Sequence, residues 1–81
     1  MSTEEQIKEL MASNLHWSGS WAEVDADYPL LDKQVVDSLD MIKLISLLED
    51  KFDVEIDDRD VVPSNFASIG RIAALVESKR R

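Results

Sequence analysis

Cysteine is absent from the 81-residue chain, so neither a disulfide framework nor a thiolate zinc site can form. Any thiol chemistry must come from a group added to the chain, and a reducing compartment suits this composition. There is no Gly-rich elbow and no Gly-Lys-Ser phosphate loop, and His16 is the only histidine, which leaves hydrolase and kinase chemistry without its usual parts. Long apolar runs are missing too. No segment approaches the roughly 18 unbroken apolar residues of a membrane span. The opening Met1-Ser2-Thr3-Glu4-Glu5 is acidic and lacks an apolar signal core. The chain is therefore expected to be soluble and cytoplasmic, without a membrane span.

Bases are scarce beside acids. Seventeen Asp and Glu stand against nine Lys and Arg, for a net charge of −8, and three of the nine bases sit in Lys79-Arg80-Arg81. Such a field repels nucleic acid and anionic lipid and attracts proteins with basic patches, although plain solubility explains it as simply. A chain of this length makes one domain, 1–81, and buries only about 60% of its unfolded surface. The core is expected to be thin and the protein a monomer.

Thr3 followed by Gln6 has the form of a capping box, and Ile7, Leu10, Met11 and Leu15 recur at helical spacing, predicting a helix over about 3–15. From 16 to 37 the periodicity fails. Ser18-Gly19-Ser20 and Tyr28-Pro29 disfavour a helix, and Trp17, Trp21, Val24, Leu30 and Leu31 are scattered among acids, as in a long loop whose apolar residues fold back over the helices. The tryptophans fit core plugs better than a ligand cage. A second helix over 38–52 carries the stripe Met41, Leu44, Ile45, Leu48 and Phe52. Leu39, Ile42 and Ser46 form another line along it, covered by loop packing or open to partners. Asp57, Asp58 and Asp60 suit the start of a short helix over 57–62, which Pro63 cuts off. Ser68 then offers an N-cap to a last helix over 68–78 with Ile69, Ile72, Ala73 and Val76 inward and a basic end. The fold class is all-α, a small four-helix bundle of three longer helices and a short third one.

Asp53, Glu55 and Asp57 fall at positions one, three and five of an EF-hand-like loop. Positions six and twelve are Asp58 and Ser64, where that loop needs Gly and Glu, so a specific calcium site is rejected and no metal is assigned. Asp37-Ser38 opens the longest helix. The ordinary explanation is a cap, because either side chain satisfies free backbone N–H groups. A phosphate ester at Ser38 would in addition meet exposed N–H donors and the positive end of the helix dipole, weakly opposed by Asp37 and Asp40.

Asp37-Ser38-Leu39-Asp40, running into Met41-Ile42-Lys43-Leu44-Ile45-Ser46-Leu47-Leu48-Glu49 and on to Phe52-Asp53-Val54-Glu55-Ile56, resembles the acyl carrier protein family. The resemblance extends from about Ile7 to Val76, through the long first loop and the short third helix. It implies no catalytic residue. It implies instead that a phosphopantetheinyl transferase moves 4'-phosphopantetheine from coenzyme A to the Ser38 hydroxyl, and that the arm's thiol holds acyl or aminoacyl thioesters. Further implied partners are an adenylating or acyltransferase loading enzyme and downstream synthase or transferase enzymes. The implied docking surface comprises Asp37, Leu39, Ile42 and the end of the third helix near Phe66. Asp40, Lys43, Ser46 and Glu49 on the same helix are expected to join that docking surface, where Lys43 interrupts a face lined by Asp37, Asp40 and Glu49, and Lys43 and Ser46 stand where fatty-acid carriers tend to have Glu and Met. Gln34 stands where related carriers usually have Gly. Val35-Val36 and Pro63-Ser64-Asn65-Phe66 look more like discrete carriers of polyketide or nonribosomal peptide assembly, in antibiotic-type secondary metabolism. A D-alanyl or fatty-acid carrier is the alternative within the family, and an unmodified acidic helical adaptor the alternative outside it.

Overall fold

The computed structural model describes residues 2–80. It contains three α-helices, α1 (Thr3–Asn14), α2 (Ser38–Phe52) and α3 (Ile69–Lys79), and 3-10 turns at Trp21–Glu23, Asp58–Asp60 and Pro63–Phe66. The architecture is all-helical, with no strand among the described residues. Arg81, the last base of the expected C-terminal tail, lies outside them.

The capping box of α1 falls one residue earlier than Thr3 and Gln6. Ser2 is the N-cap: its hydroxyl accepts from the Glu5 N–H at 3.1 Å, and its own N–H donates to Glu5 Oε1 at 3.1 Å. These bonds from Ser2, the backbone one first, hold the Glu5 carboxyl below the usual carboxylate range. Thr3 is already helical, and its hydroxyl instead donates to Glu77 of α3. Ile7, Met11 and Leu15 are buried, and α1 packs against both α3 and α2. From α2 come Leu44 and Leu48, and from α3 Ile69, Ile72 and Val76, all buried. Ser68 caps α3 by accepting from the Arg71 N–H at 3.2 Å.

A bundle this small is completed by its loop. Val24, Leu30, Val35 and Val36 are buried in the core beside the helices. Two backbone bonds staple the loop to the start of α3, from the Leu30 N–H to the Ala67 carbonyl and from the Gly70 N–H to the Ala26 carbonyl, both 2.8 Å. A Cβ at position 70 would stand 3.0 Å from the Ala26 oxygen, so glycine permits this approach. Trp17 meets Trp21 and Tyr28 edge-on, with ring centroids 5.2 and 6.1 Å apart. All three rings are half-buried against the core and pack on one another rather than around an open space.

The expected short third helix over 57–62 is not an α-helix. Asp57 caps a single 3-10 turn at Asp58–Asp60, and Pro63 opens a second turn instead of terminating the first. The reason is local: proline lacks an N–H and has a fixed φ, both suited to a first helical position. The structure is thus a three-helix bundle with a 3-10-rich connection in place of the short helix.

Candidate functional site

The approach to α2 is a tight turn. The Val35 N–H donates to the Leu30 carbonyl at 2.8 Å and the Gln34 N–H to the Leu31 carbonyl at 3.1 Å, the nested pair of a Schellman motif. Leu30 and Val35, its two apolar positions, are both buried. Such a motif needs a left-handed residue, and here that residue is Gln34, with φ 57°. A Cβ in this conformation costs about 1–2 kcal/mol. Burial of Leu30, Val35 and Val36 holds the turn nevertheless, and so fixes where Asp37 and Ser38 begin the helix.

Asp37 is the N-cap of α2 and Asp40 completes its capping box. The Asp40 N–H donates to Asp37 Oδ1 at 2.8 Å, and the Asp37 N–H to Asp40 Oδ2 at 3.3 Å. The two aspartates therefore supply the capping that Ser38 could have supplied. Ser38 is the first helical residue, exposed, and its hydroxyl takes part in no hydrogen bond among the described residues. Ser2 and Ser68, also at helix starts, both spend their hydroxyls on caps. The Ser38 and Leu39 N–H groups have no acceptor among the described residues, so an anion attached at Ser38 would find two donors and the helix dipole beside it.

Along α2, Leu39 and Ile42 are 77% and 67% exposed, uncovered by any loop. Ser46 is exposed and Asp40 half-buried. Lys43 is exposed but occupied: its Nζ donates to the Asn14 carbonyl at 2.8 Å, giving the last turn of α1 the positive charge that helix lacks. Two expected docking residues face elsewhere. Phe66 is fully buried, because Pro63–Phe66 turns its ring into the core, and it has no surface to offer a partner. Glu49 is half-buried, and its carboxylate accepts the Ile56 N–H at 2.9 Å, fixing the chain after α2. Sequence periodicity did not single out Val61 and Val62, which are 37% and 38% exposed ahead of Pro63. Two adjacent valines before a proline, in a stretch with no helical spacing to pull them inward, were the available signal.

Residues 5–76 match the family described as "Phosphopantetheine attachment site". Among curated proteins, the chain is 40% identical over 60 residues to an acyl carrier protein of Solidesulfovibrio magneticus, covering 74% of each. It is 35% identical over 81 residues to an acyl carrier protein of Exiguobacterium sp., covering 95% of this chain and 98% of that one. An acyl carrier protein of Streptococcus thermophilus is 28% identical over the full length of both.

Proposed function

The chain belongs to the acyl carrier protein family, which carries 4'-phosphopantetheine and is not itself enzymatic, and we propose that Ser38 is the residue to which the arm is attached. The observation that carries the proposal is the division of labour at the start of α2. Asp37 and Asp40 meet the helix's capping needs, and the exposed Ser38 hydroxyl between them has no structural duty. Attachment forms a bond from Ser38 Oγ to phosphorus and breaks the phosphate link to the nucleotide part of coenzyme A, and the hydroxyl proton leaves to a base of the transferase. The unclaimed Ser38 and Leu39 N–H groups then face the new phosphate.

The cargo is an acyl or aminoacyl thioester on the arm's thiol, a thiol that the cysteine-free chain cannot provide. Tethering replaces diffusion with a high effective concentration at each partner enzyme. The exposed Leu39 and Ile42, framed by Asp37, Asp40 and Ser46, support docking along α2, with a transferase, a loading enzyme and downstream synthases as the partners. Service in secondary-metabolite assembly rather than housekeeping fatty acid synthesis is supported by Lys43 and Ser46, which change the charge and bulk of that helix.

Whole-protein mass after incubation with coenzyme A, magnesium and a promiscuous phosphopantetheinyl transferase tests the reading. One added phosphopantetheine per chain is expected. A chain that folds but gains no mass would instead fit the unmodified acidic adaptor.

A further inference from the structure

Residues 57–64 form the middle of the connection from α2 to α3, and none of them is fully buried, Asp60 being the most covered. Apolar anchoring lies outside this stretch, at Val54 before it and Phe66 after it. Val61 and Val62 between them are 37% and 38% exposed, so the hydrophobic effect secures the ends of the connection more firmly than its middle.

What ties the middle to the body is an ion pair. Lys79, in the last turn of α3, places Nζ 2.6 Å from Asp60 Oδ2 and 3.6 Å from Asp57 Oδ2. The same Asp60 Oδ2 accepts the Asp57 N–H at 3.0 Å, and the Asp60 carbonyl accepts Asn65 Nδ2 at 2.8 Å. One residue thus closes the Asp58–Asp60 turn, links it to the Pro63–Phe66 turn and joins both to α3. The Lys79 and Asp60 side chains are 25% and 17% exposed, so the pair is screened less than an open surface pair. The hydrogen bond from Lys79 holds the Asp60 carboxyl below the usual aspartate range, and Asp60 holds the Lys79 ammonium above the usual lysine range.

We propose that the Lys79–Asp60 pair is a releasable strap, and that residues 57–64 open as a local unit when it parts while the three helices stay packed. Closed, the strap fixes the half-open valines Val61 and Val62 in one orientation. Open, it frees them and the chain around them. Neutralising either charge shifts the balance toward the open form, because only the closed form contains the pair. The inference is independent of where the phosphopantetheine is attached.

Site-resolved amide hydrogen exchange tests it on the full chain. The reporters are Val61, Val62 and Asn65, whose N–H groups donate to Asp58, Asp60 and Val62 carbonyls at 3.1, 3.0 and 3.0 Å. Lys79→Met keeps an apolar stem without the charge. Asp60→Asn keeps an oxygen for the Asp57 N–H but loses the ion pair. Either change is expected to speed exchange at the reporters roughly threefold to fivefold, with the core amides of Leu48 and Ile72 unaffected. Lys79→Arg should stay near wild type, and the double variant should exchange no faster than either single one. Reporters that keep the wild-type rate, acceleration shared equally by the core amides, or additive effects in the double variant would each overturn the strap.

Discussion

Asp37 and Asp40 cap each other across the first turn of α2, each side chain taking the other's backbone N–H, at 2.8 and 3.3 Å, with Ser38 left between them. Removing an N-cap aspartate costs about 0.5–2 kcal/mol. Asp37→Ala is therefore expected to lower the melting temperature by several degrees, since about 1 kcal/mol corresponds to roughly 4–8 °C in a domain of this size. Ser38→Ala should leave it within about a degree, as no bond is lost. Thermal melts followed by helical circular dichroism check both. Equal losses in the two variants would mean that Ser38 shares the capping role.

Gln34 holds φ 57° in a motif that favours glycine. Gln34→Gly relieves that conformation, against a greater loss of chain freedom on folding, and is expected to add about 0.5–1 kcal/mol in urea denaturation. Gln34→Val, β-branched in the same left-handed turn, should cost stability. A destabilised Gln34→Gly variant would show that the glutamine side chain contributes more than its backbone strain removes.

The helices and their inward stripes were legible because burial on one face repeats every three to four residues: Ile7 with Met11, Leu44 with Leu48, and Ile72 with Val76 are all buried at that spacing. The Asp-Ser-Leu-Asp motif was likewise visible as a helix start. What stayed hidden depends on non-local partners or on single dihedral angles. Nothing in the sequence pairs Lys43 with Asn14, 29 positions away, or Lys79 with Asp60. The resemblance put a docking surface near Phe66, and the turn begun by Pro63, which rotates that ring inward, has no periodic signature to show otherwise. The choice between Asp37 and Ser38 as cap was a shift of one residue, which neighbouring cap-forming side chains leave open until backbone angles are known.

Lys43 joins α2 to the end of α1 through the Asn14 carbonyl. Lys43→Met leaves that carbonyl to water and should cost about 0.5–1.5 kcal/mol, whereas Lys43→Arg should retain most of the stability. Lys43→Glu, which sets a carboxylate against the negative end of α1, should cost more than the methionine. Urea denaturation of the three variants checks the order. If all match wild type, the lysine acts as a freely solvated charge.

Asp60 sets an acid limit on stability. The hydrogen bond from Lys79 chiefly lowers its pKa, with smaller help from the Asp57 N–H and the charges of Lys79 and Arg59. The folded state thus holds this proton less tightly than the unfolded chain. The pair's contribution is present above the ordinary aspartate value of about 3.9 and is lost as pH falls through the lowered folded value. For Lys79 the sign reverses: its contribution is present below the ordinary lysine value and lost as pH rises through the raised folded one. Between about pH 5 and pH 2, wild type should lose more stability than Asp60→Asn, which keeps the other carboxyls but has none at position 60. Parallel curves for the two proteins would remove Asp60 from the acid transition.

The most direct measurement of the central claim is intact and peptide mass for wild type and Ser38→Ala, side by side, after reaction with coenzyme A, magnesium and phosphopantetheinyl transferase. Wild type is expected to gain one phosphopantetheine, located on the peptide containing Ser38. Ser38→Ala should keep its helical circular dichroism and gain nothing. Mass added to the folded Ser38→Ala protein, or found on any other serine of the wild type, would contradict the account.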